Sequence, residues 1–253
     1  MSSENTDNNQ DRRRILLLAQ GRGGSGKTMM LVNLIERARR AGRDVRVADL
    51  DRTNQSTSHY FADAVTADDA SDNTLLTTAE EFVDDLVQNR ISGVIDLGGG
   101  DLIGPRILHD LDIVTFLSTH GFDVTVLFTL GSDADYLAPY RRLQAMGALD
   151  HVNVVFVLNE ALADESTKGR AGFKGLLEHP DILQALEAGA EIVLMETLRG
   201  ARILAENRFL FRDAADRRPA PNGAVLRLIR ANHVRKWLKS LEAQLEDFEE
   251  KLP

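Results

Sequence analysis

An α/β fold with a mostly parallel sheet and helices on both faces is predicted by this 253-residue sequence. Three observations predict it. Short apolar runs alternate with helix-patterned stretches of about 10–15 residues, the arrangement of successive βαβ units. The first run, Ile15-Leu16-Leu17-Leu18-Ala19, is apolar throughout, as suits a strand buried on both faces. That run ends in a glycine-rich loop leading straight into a helical pattern.

The elements follow in order. Residues 1–11 are polar and acidic, with nothing to bury, and are expected to form a disordered tail. Residues 12–253 are expected to form one domain, because neither a Pro/Gly/Ser-rich linker nor an internal repeat interrupts them. Residues 27–41 read as a helix, with Met30, Leu31, Leu34, Ile35 and Ala38 at helical spacing and Gly42 as its stop. Val45 to Asp49 reads as a second strand. The stretch 53–73 is polar and weakly patterned, a surface segment or a switch region. Residues 79–89 return to helical spacing through Phe82, Val83 and Leu86. Gly93 to Leu97 is a third strand, followed by Gly98-Gly99-Gly100. Beyond it the pattern predicts a helix over 102–118, a strand over 123–130, a helix over 133–146 and strands at 152–158 and 191–194. The last third reads as mostly helical.

Composition narrows the functional classes. A formal net charge of −9 argues against a protein coated in base for non-specific nucleic-acid binding, though not against a local basic patch. The absence of cysteine rules out disulfides, thiolate catalysis and cysteine-ligated zinc. Residues 1–11 carry no apolar signal core, and no apolar run approaches the roughly 18 residues of a membrane span. A soluble cytoplasmic protein without a membrane span is therefore expected.

The chemistry concentrates in the glycine-rich loop, Gly21-Arg22-Gly23-Gly24-Ser25-Gly26-Lys27-Thr28. It matches GxxxxGK followed by Ser or Thr, and it lies between strand and helix, as a phosphate-binding loop requires. Its glycines let backbone N–H groups turn inward onto phosphate oxygens, and the helix N-terminus adds its dipole. Lys27 is placed to reach the β- and γ-phosphates and Thr28 to ligate magnesium, with Met29 closing the nucleotide-contacting stretch. ATP with Mg2+ is the expected ligand.

Acids stand at the ends of the next two strands, where ligands gather in such sheets. Asp49-Leu50-Asp51 closes the second, and alternation places both carboxylates on one side. Asp96 closes the third in the manner of a metal-holding acid, and Asp96-Leu97-Gly98-Gly99 reads as DxxG, a γ-phosphate sensor. The alternative for all three is that strand-terminal Asp residues merely start turns.

The loop resembles the deviant Walker A loop of the ParA/MinD superfamily, SIMIBI-class P-loop ATPases whose loop reads roughly GKGGxGKT. Val47-Ala48-Asp49-Leu50-Asp51 is similar to that family's IDxD strand end, and Val94-Ile95-Asp96 and Val157-Leu158-Asn159 follow in the same order. The resemblance covers about residues 13–160. It implies a SIMIBI-type fold and a switch ATPase. Lys27 and Thr28 would bind phosphate and magnesium, with Asp49 and Asp96 near the metal through water. Asp51 would orient or activate the attacking water, and Asn159 would hydrogen-bond adenine. The family's first loop lysine reaches across an ATP-sandwiched dimer. Arg22 stands there in this chain, a trans contact able to grip phosphate in bidentate fashion or else a solvated loop residue. The chain also lacks the proline-bearing strand end of close members at Ile192 to Glu196. No guanine-specific NKxD motif follows Asn159, which favours ATP over GTP.

From Arg217 to Leu241 the chain holds seven bases, at 217, 218, 227, 230, 235, 236 and 239, and no acid. Val234, Trp237, Leu238, Leu241, Leu245 and Phe248 form a helical apolar stripe through it. Three readings are open: a docked helix with solvated charges, a non-specific DNA surface, or an interfacial membrane helix. For the whole chain, the expectation is a nucleotide-dependent homodimer. Its slow ATPase would be stimulated by a partner protein and serve partition or positioning of plasmid DNA or other cargo, with conjugation modules included. The alternative is a metabolic enzyme that transfers phosphate to, or ligates, a small acceptor. A scaffold without turnover ranks below both, because Lys27, Asp51 and Asp96 are all present.

Overall fold

A computed structural model describes residues 14–98, 103–163 and 167–253. The expected tail 1–11, the glycines at 99 and 100 and the expected helix start at 102 lie outside the described residues. Strand β1 (Arg14–Gly21) leads through the glycine-rich loop into helix α1 (Lys27–Arg40), and β2 (Val45–Leu50) follows. Next come β3 (Val65–Thr66), α2 (Asp72–Asn89), β4 (Ser92–Leu97), α3 (Ile103–His109), α4 (Ile113–Thr119) and β5 (Phe122–Leu130). Helix α5 (Ala138–Ala145), β6 (Asn153–Asn159), α6 (Lys174–Leu177), α7 (Pro180–Glu187) and β7 (Glu191–Met195) continue the alternation. Helices α8 (Ala201–Asn207), α9 (Phe211–Ala215) and α10 (Leu228–Leu245) complete the described chain.

The seven strands form one parallel sheet in the order β3-β2-β4-β1-β5-β6-β7. Successive residues of a strand point to opposite faces, so β1 divides its apolar side chains between two cores. Ile15, Leu17 and Ala19 join the core made with α1, α9 and α10; Leu16 and Leu18 join the one made with α2, α3 and α4. Both faces are covered, which is why the strands are apolar in both phases.

Three differences from the sequence reading have local causes. Helix α2 starts at Asp72, earlier than residue 79, because the Ser71 hydroxyl accepts from the Thr74 amide and caps its first turn. The expected helix 102–118 is two helices, broken where Asp112 takes a left-handed φ of 45°. The expected helix 133–146 begins as a 3-10 turn, Ala134–Leu137, before α5, with Pro139 held in α5's first turn where no intrahelical N–H is required. The polar stretch 53–73 contains β3, whose Val65 and Thr66 pair with Ala48 and Asp49.

Helix α10 buries the apolar stripe. Val234, Trp237, Leu238, Leu241 and Leu245 are in the core, and Trp237 Nε1 donates to Glu196 O at 2.8 Å. Phe248 is also buried, but beyond the helix, with φ −143°. The seven bases do not share one face. Arg217 Nε donates to Leu226 O, Arg218 reaches Asp213, and Arg235 donates to Ala215 O. At about 100° per residue, Arg230 and the pair Lys236 and Lys239 project to different sides of α10. No helix of the described residues is long and apolar enough to cross a membrane.

Candidate functional site: a phosphate cleft at the carboxyl edge

The site is assembled where β1, β2 and β4 end side by side. Register sets Asp96 opposite both Asp49 of β2 and Ala19 of β1. The glycine-rich loop then folds over these ends. A cleft of about 560 Å³ is lined by Gly21, Arg22, Gly23, Gly24, Ser25, Gly26, Lys27 and Thr28 on one wall, and by Asp51, Thr53, Asn54 and Ser56 on the other. All eight loop residues singled out from the sequence therefore meet in one concavity.

Helix α1 begins without a side-chain cap, because Gly26 precedes it. The first-turn amides of Lys27, Thr28 and Met29 have no protein acceptor among the described residues, whereas Met30 N already bonds Gly26 O at 3.1 Å. Uncapped amides at a helix N-terminus are ready donors to an anion.

Gly26 is required twice over. Its φ is +93°, and a Cβ there would lie 2.6 Å from Asn159 Nδ2 and 2.7 Å from Met195 Cε. Gly26→Ala is expected to lower folding stability by about 1–3 kcal/mol, from backbone strain plus displacement of Asn159. Gly23→Ala, which meets nothing within 4 Å, is the control. Equal urea midpoints for the two variants would refute the close approach.

Lys27 is buried and bonded to Asp96 Oδ1, with Asp51 Oδ2 at 3.7 Å. The other oxygen of Asp96 accepts from the Thr57 hydroxyl at 2.5 Å. Burial pushes the Asp96 carboxyl up; the Lys27 ammonium and the Thr57 hydroxyl oppose it. Asp49 is fully buried and accepts from the amides of Asp51 at 3.3 Å and Ser58 at 2.7 Å. Asp49 and Asp96 thus lie beneath the cleft rather than on its wall, and they hold the 51–58 segment in place.

Asp51 lines the cleft. Burial alone would raise its carboxyl, but the Thr53 amide and hydroxyl, Lys27 and the Asn54 amide overcome it and hold the group below the usual carboxylate range. Thr28 Oγ1 meets Ser56 Oγ at 2.9 Å, so two hydroxyls face the cleft where a hard cation would sit. Arg22 is exposed, with its guanidinium 5.1 Å from the centre of the Tyr136 ring. Asn159 is buried under the loop, where Nδ2 donates to Ser25 O at 2.8 Å and Oδ1 accepts from Ala161 N at 3.1 Å. One N–H and one lone pair of its amide are left for a base.

Sequence reasoning missed Ser56, Thr57 and Ser58, as well as Thr129, whose hydroxyl bonds Ser25 Oγ. A signal was present for the first three. Thr53-Asn54-Gln55-Ser56-Thr57-Ser58 is an unbroken run of hydrogen-bonding side chains directly after Arg52. Thr129 carried none, since only the pairing of β1 with β5 brings it beside Gly21.

Comparison with known proteins agrees with this geometry. Residues 16–207 match the model of the CobQ/CobB/MinD/ParA nucleotide binding domain. MinD in the MinC:MinD cell division protein complex of Aquifex aeolicus has a similar fold, with a TM-score of 0.52 and 14% identity over 89% of this chain and 96% of that one. Chloroplast FtsY from Physcomitrella patens (TM-score 0.49, 16% identity over 74% of this chain) and the signal recognition particle receptor FtsY from Elizabethkingia anophelis (0.45, 12% over 90%) are also similar. The chain spans 59% and 66% of those two FtsY chains. No curated protein sequence matches. On the family match, which takes in the loop, all three strand-end acids and Asn159, the chain belongs to the CobQ/CobB/MinD/ParA nucleotide-binding family of SIMIBI-class P-loop NTPases.

Proposed function

We propose that the chain is a nucleotide-switched ATPase of the ParA/MinD type. It binds ATP with magnesium in the phosphate cleft, pairs with a second copy in the ATP state and hydrolyses ATP slowly until a partner protein stimulates it. The cycle serves partition or positioning of plasmid DNA or other cargo. The observation that supports this most is the convergence of three uncapped amides, the Lys27 ammonium and the ionised Asp51 on one cleft.

The residues divide the work as follows. The amides of Lys27 to Met29 hold phosphate oxygens, and Lys27 leaves Asp96 for the β- and γ-phosphates. Thr28 and Ser56 fit magnesium, which takes oxygen ligands, keeps several waters and needs no all-protein cage; among the described residues there is no three-acid cluster. Bound there, magnesium neutralises charge on the phosphate oxygens. Asp51, held below the usual range, is a weak base, so it orients the attacking water rather than taking its proton. Thr57 reports nucleotide state, because its hydroxyl is tied to Asp96, the carboxylate that Lys27 leaves. Asn159 braces the loop and offers its remaining N–H to adenine.

MinD was solved in complex with a protein partner, MinC, and a partner protein is the stimulant proposed for this chain. Contact with DNA phosphates would fall to Arg227, Arg230, Lys236 and Lys239, and their split over two sides of α10 makes that surface weak. A second reading, transfer of phosphate to a small acceptor or its ligation, is favoured by one observation: a further crevice on the other side of Arg22.

The test is molar mass by light scattering. The 28.0 kDa chain is expected to double in mass with a non-hydrolysable ATP analogue and magnesium, and not with ADP. A mass indifferent to nucleotide would overturn the switch and favour the acceptor enzyme.

A further inference from the structure

A second crevice, of about 330 Å³, opens beside the phosphate loop, on the side away from Asp51. Gln20 at the end of β1, Pro105 of α3 and Asp135, Pro139 and Arg142 around α5 line it, and Arg22 separates it from the phosphate cleft. Arg22 is the residue these two clefts share. The place is significant in the topology. The chain crosses from β4 on one side of β1 to β5 on the other, and crevices at such a switch point of a parallel sheet take ligands. The volume falls in the range of small-molecule sites.

Its chemistry is specific. Gln20 is 4% exposed, yet its Nε2 has no hydrogen-bond partner among the described residues. A buried amide left without an acceptor costs about 1–3 kcal/mol, so a donor held in this state calls for an acceptor from outside. Gly104 preserves the arrangement, because a Cβ there would overlap Gln20 Nε2. Arg22 and Arg142 are exposed and form no ion pair among the described residues, and Arg22 is steadied over the Tyr136 ring. Two guanidiniums and an unpaired amide N–H match the lone pairs of a carboxylate. Pro105 and Pro139 supply an apolar wall for methylenes. Asp135, at the rim, faces a donor on the same ligand.

We propose that this crevice binds a small-molecule carboxylate carrying an amine or hydroxyl, held by Gln20, Arg142 and Arg22. The site stands whether the phosphate cleft drives a dimer switch or an acceptor reaction. Occupancy engages Arg22, so the ligand and the nucleotide phosphates draw on one guanidinium. The crevice is thereby placed to sense a metabolite or to hold an acceptor.

The test uses the full chain and L-glutamate as the probe, by isothermal titration calorimetry without nucleotide. Saturable binding is expected in the millimolar range or tighter. Arg142→Ala and Gln20→Leu should each weaken it about tenfold or more, as loss of a hydrogen bond to a charged group does. Neither should change the affinity for a fluorescent ATP analogue by more than about twofold, since neither residue lines the phosphate cleft. Gln20→Leu removes an unpaired amide and should leave the melting temperature unchanged or raise it, a result that a merely structural glutamine would not give. Absence of saturable binding, undiminished binding to Arg142→Ala, or loss of stability with Gln20→Leu would each overturn the proposal. The carboxylate could instead belong to an acidic side chain of a second copy. Light scattering would then show a mass change in Arg142→Ala with no glutamate binding by the unmutated chain, and the small-molecule site would be wrong.

Discussion

Lys27→Ala is expected to weaken nucleotide binding by about tenfold to a hundredfold and to cost about 3 kcal/mol of folding stability at neutral pH. The two losses have different origins. Nucleotide affinity falls because the ammonium is the buried cation on the wall of the cleft, and a charged hydrogen bond to phosphate is worth about tenfold to a hundredfold. Stability falls because Asp96, with no exposed surface, loses the charge that offsets its burial, and Asp49 stands beside it on the neighbouring strand. Removing one member of a buried pair leaves the other uncompensated.

The pH dependence gives the sign. Without Lys27 the folded-state pKa of Asp96 rises further above its unfolded value of about 3.9. An acid with a raised folded pKa binds more protons folded than unfolded, so stability falls as pH climbs from the unfolded value to the folded one. The deficit of Lys27→Ala should therefore be full at pH 7 and shrink towards pH 4. The double variant Lys27→Ala with Asp96→Asn should recover most of the stability and none of the nucleotide binding. Urea denaturation at the two pH values and titration with a fluorescent ATP analogue check this. A single variant as stable as the unmutated chain would mean that Asp96 does not depend on Lys27.

Asp51→Ala is expected to keep ATP binding, lower turnover about a hundredfold and prolong the ATP-bound dimer. The magnitude is that of losing the positioning of the attacking water. Binding survives because the first-turn amides and Lys27 hold the phosphates. Asp51 also anchors the next turn, accepting from Thr53 N at 2.9 Å, Thr53 Oγ1 at 2.8 Å and Asn54 N at 3.1 Å, so alanine frees that turn. Asp51→Asn separates the two effects, since its carbonyl oxygen still accepts these bonds while the charge is gone. Turnover of both variants, measured by phosphate release, should be low, with the turn ordered only in the asparagine variant. Turnover at the unmutated rate in either would remove Asp51 from the reaction.

Much of this was legible in the sequence, because the signals are local. A phosphate loop needs glycines, a lysine and a hydroxyl at fixed spacing between a strand and a helix, and each requirement is met within Gly21 to Thr28. Strand-end acids are visible for the same reason: Asp49, Asp51 and Asp96 end apolar runs. The sixth apolar run, at 191–194, proved to be β7, and the apolar stripe of α10 proved to be core. Two other features were misjudged. The break at Asp112 depends on a left-handed residue that carries no distinctive spacing. The short β3 exists only because β2 offers it an edge.

By itself, then, the sequence determined the fold class, the position of the glycine-rich loop and the acids at the neighbouring strand ends, because backbone geometry and periodicity act over a few residues. Tertiary structure alone decided which of those groups touch. Parallel register set Asp96 against Asp49 and brought Lys27 and Thr57 onto its two oxygens. It turned Asn159 inward to brace Ser25, and it divided seven neighbouring bases between packing and solvent. The same register left Gln20 Nε2 buried beside two exposed arginines, none of the three with a hydrogen-bond or ion-pair partner among the described residues. Hydrogen bonds reach only about 3 Å, and Lys27 and Asp96, 69 positions apart in the chain, come within that reach because β1 and β4 align.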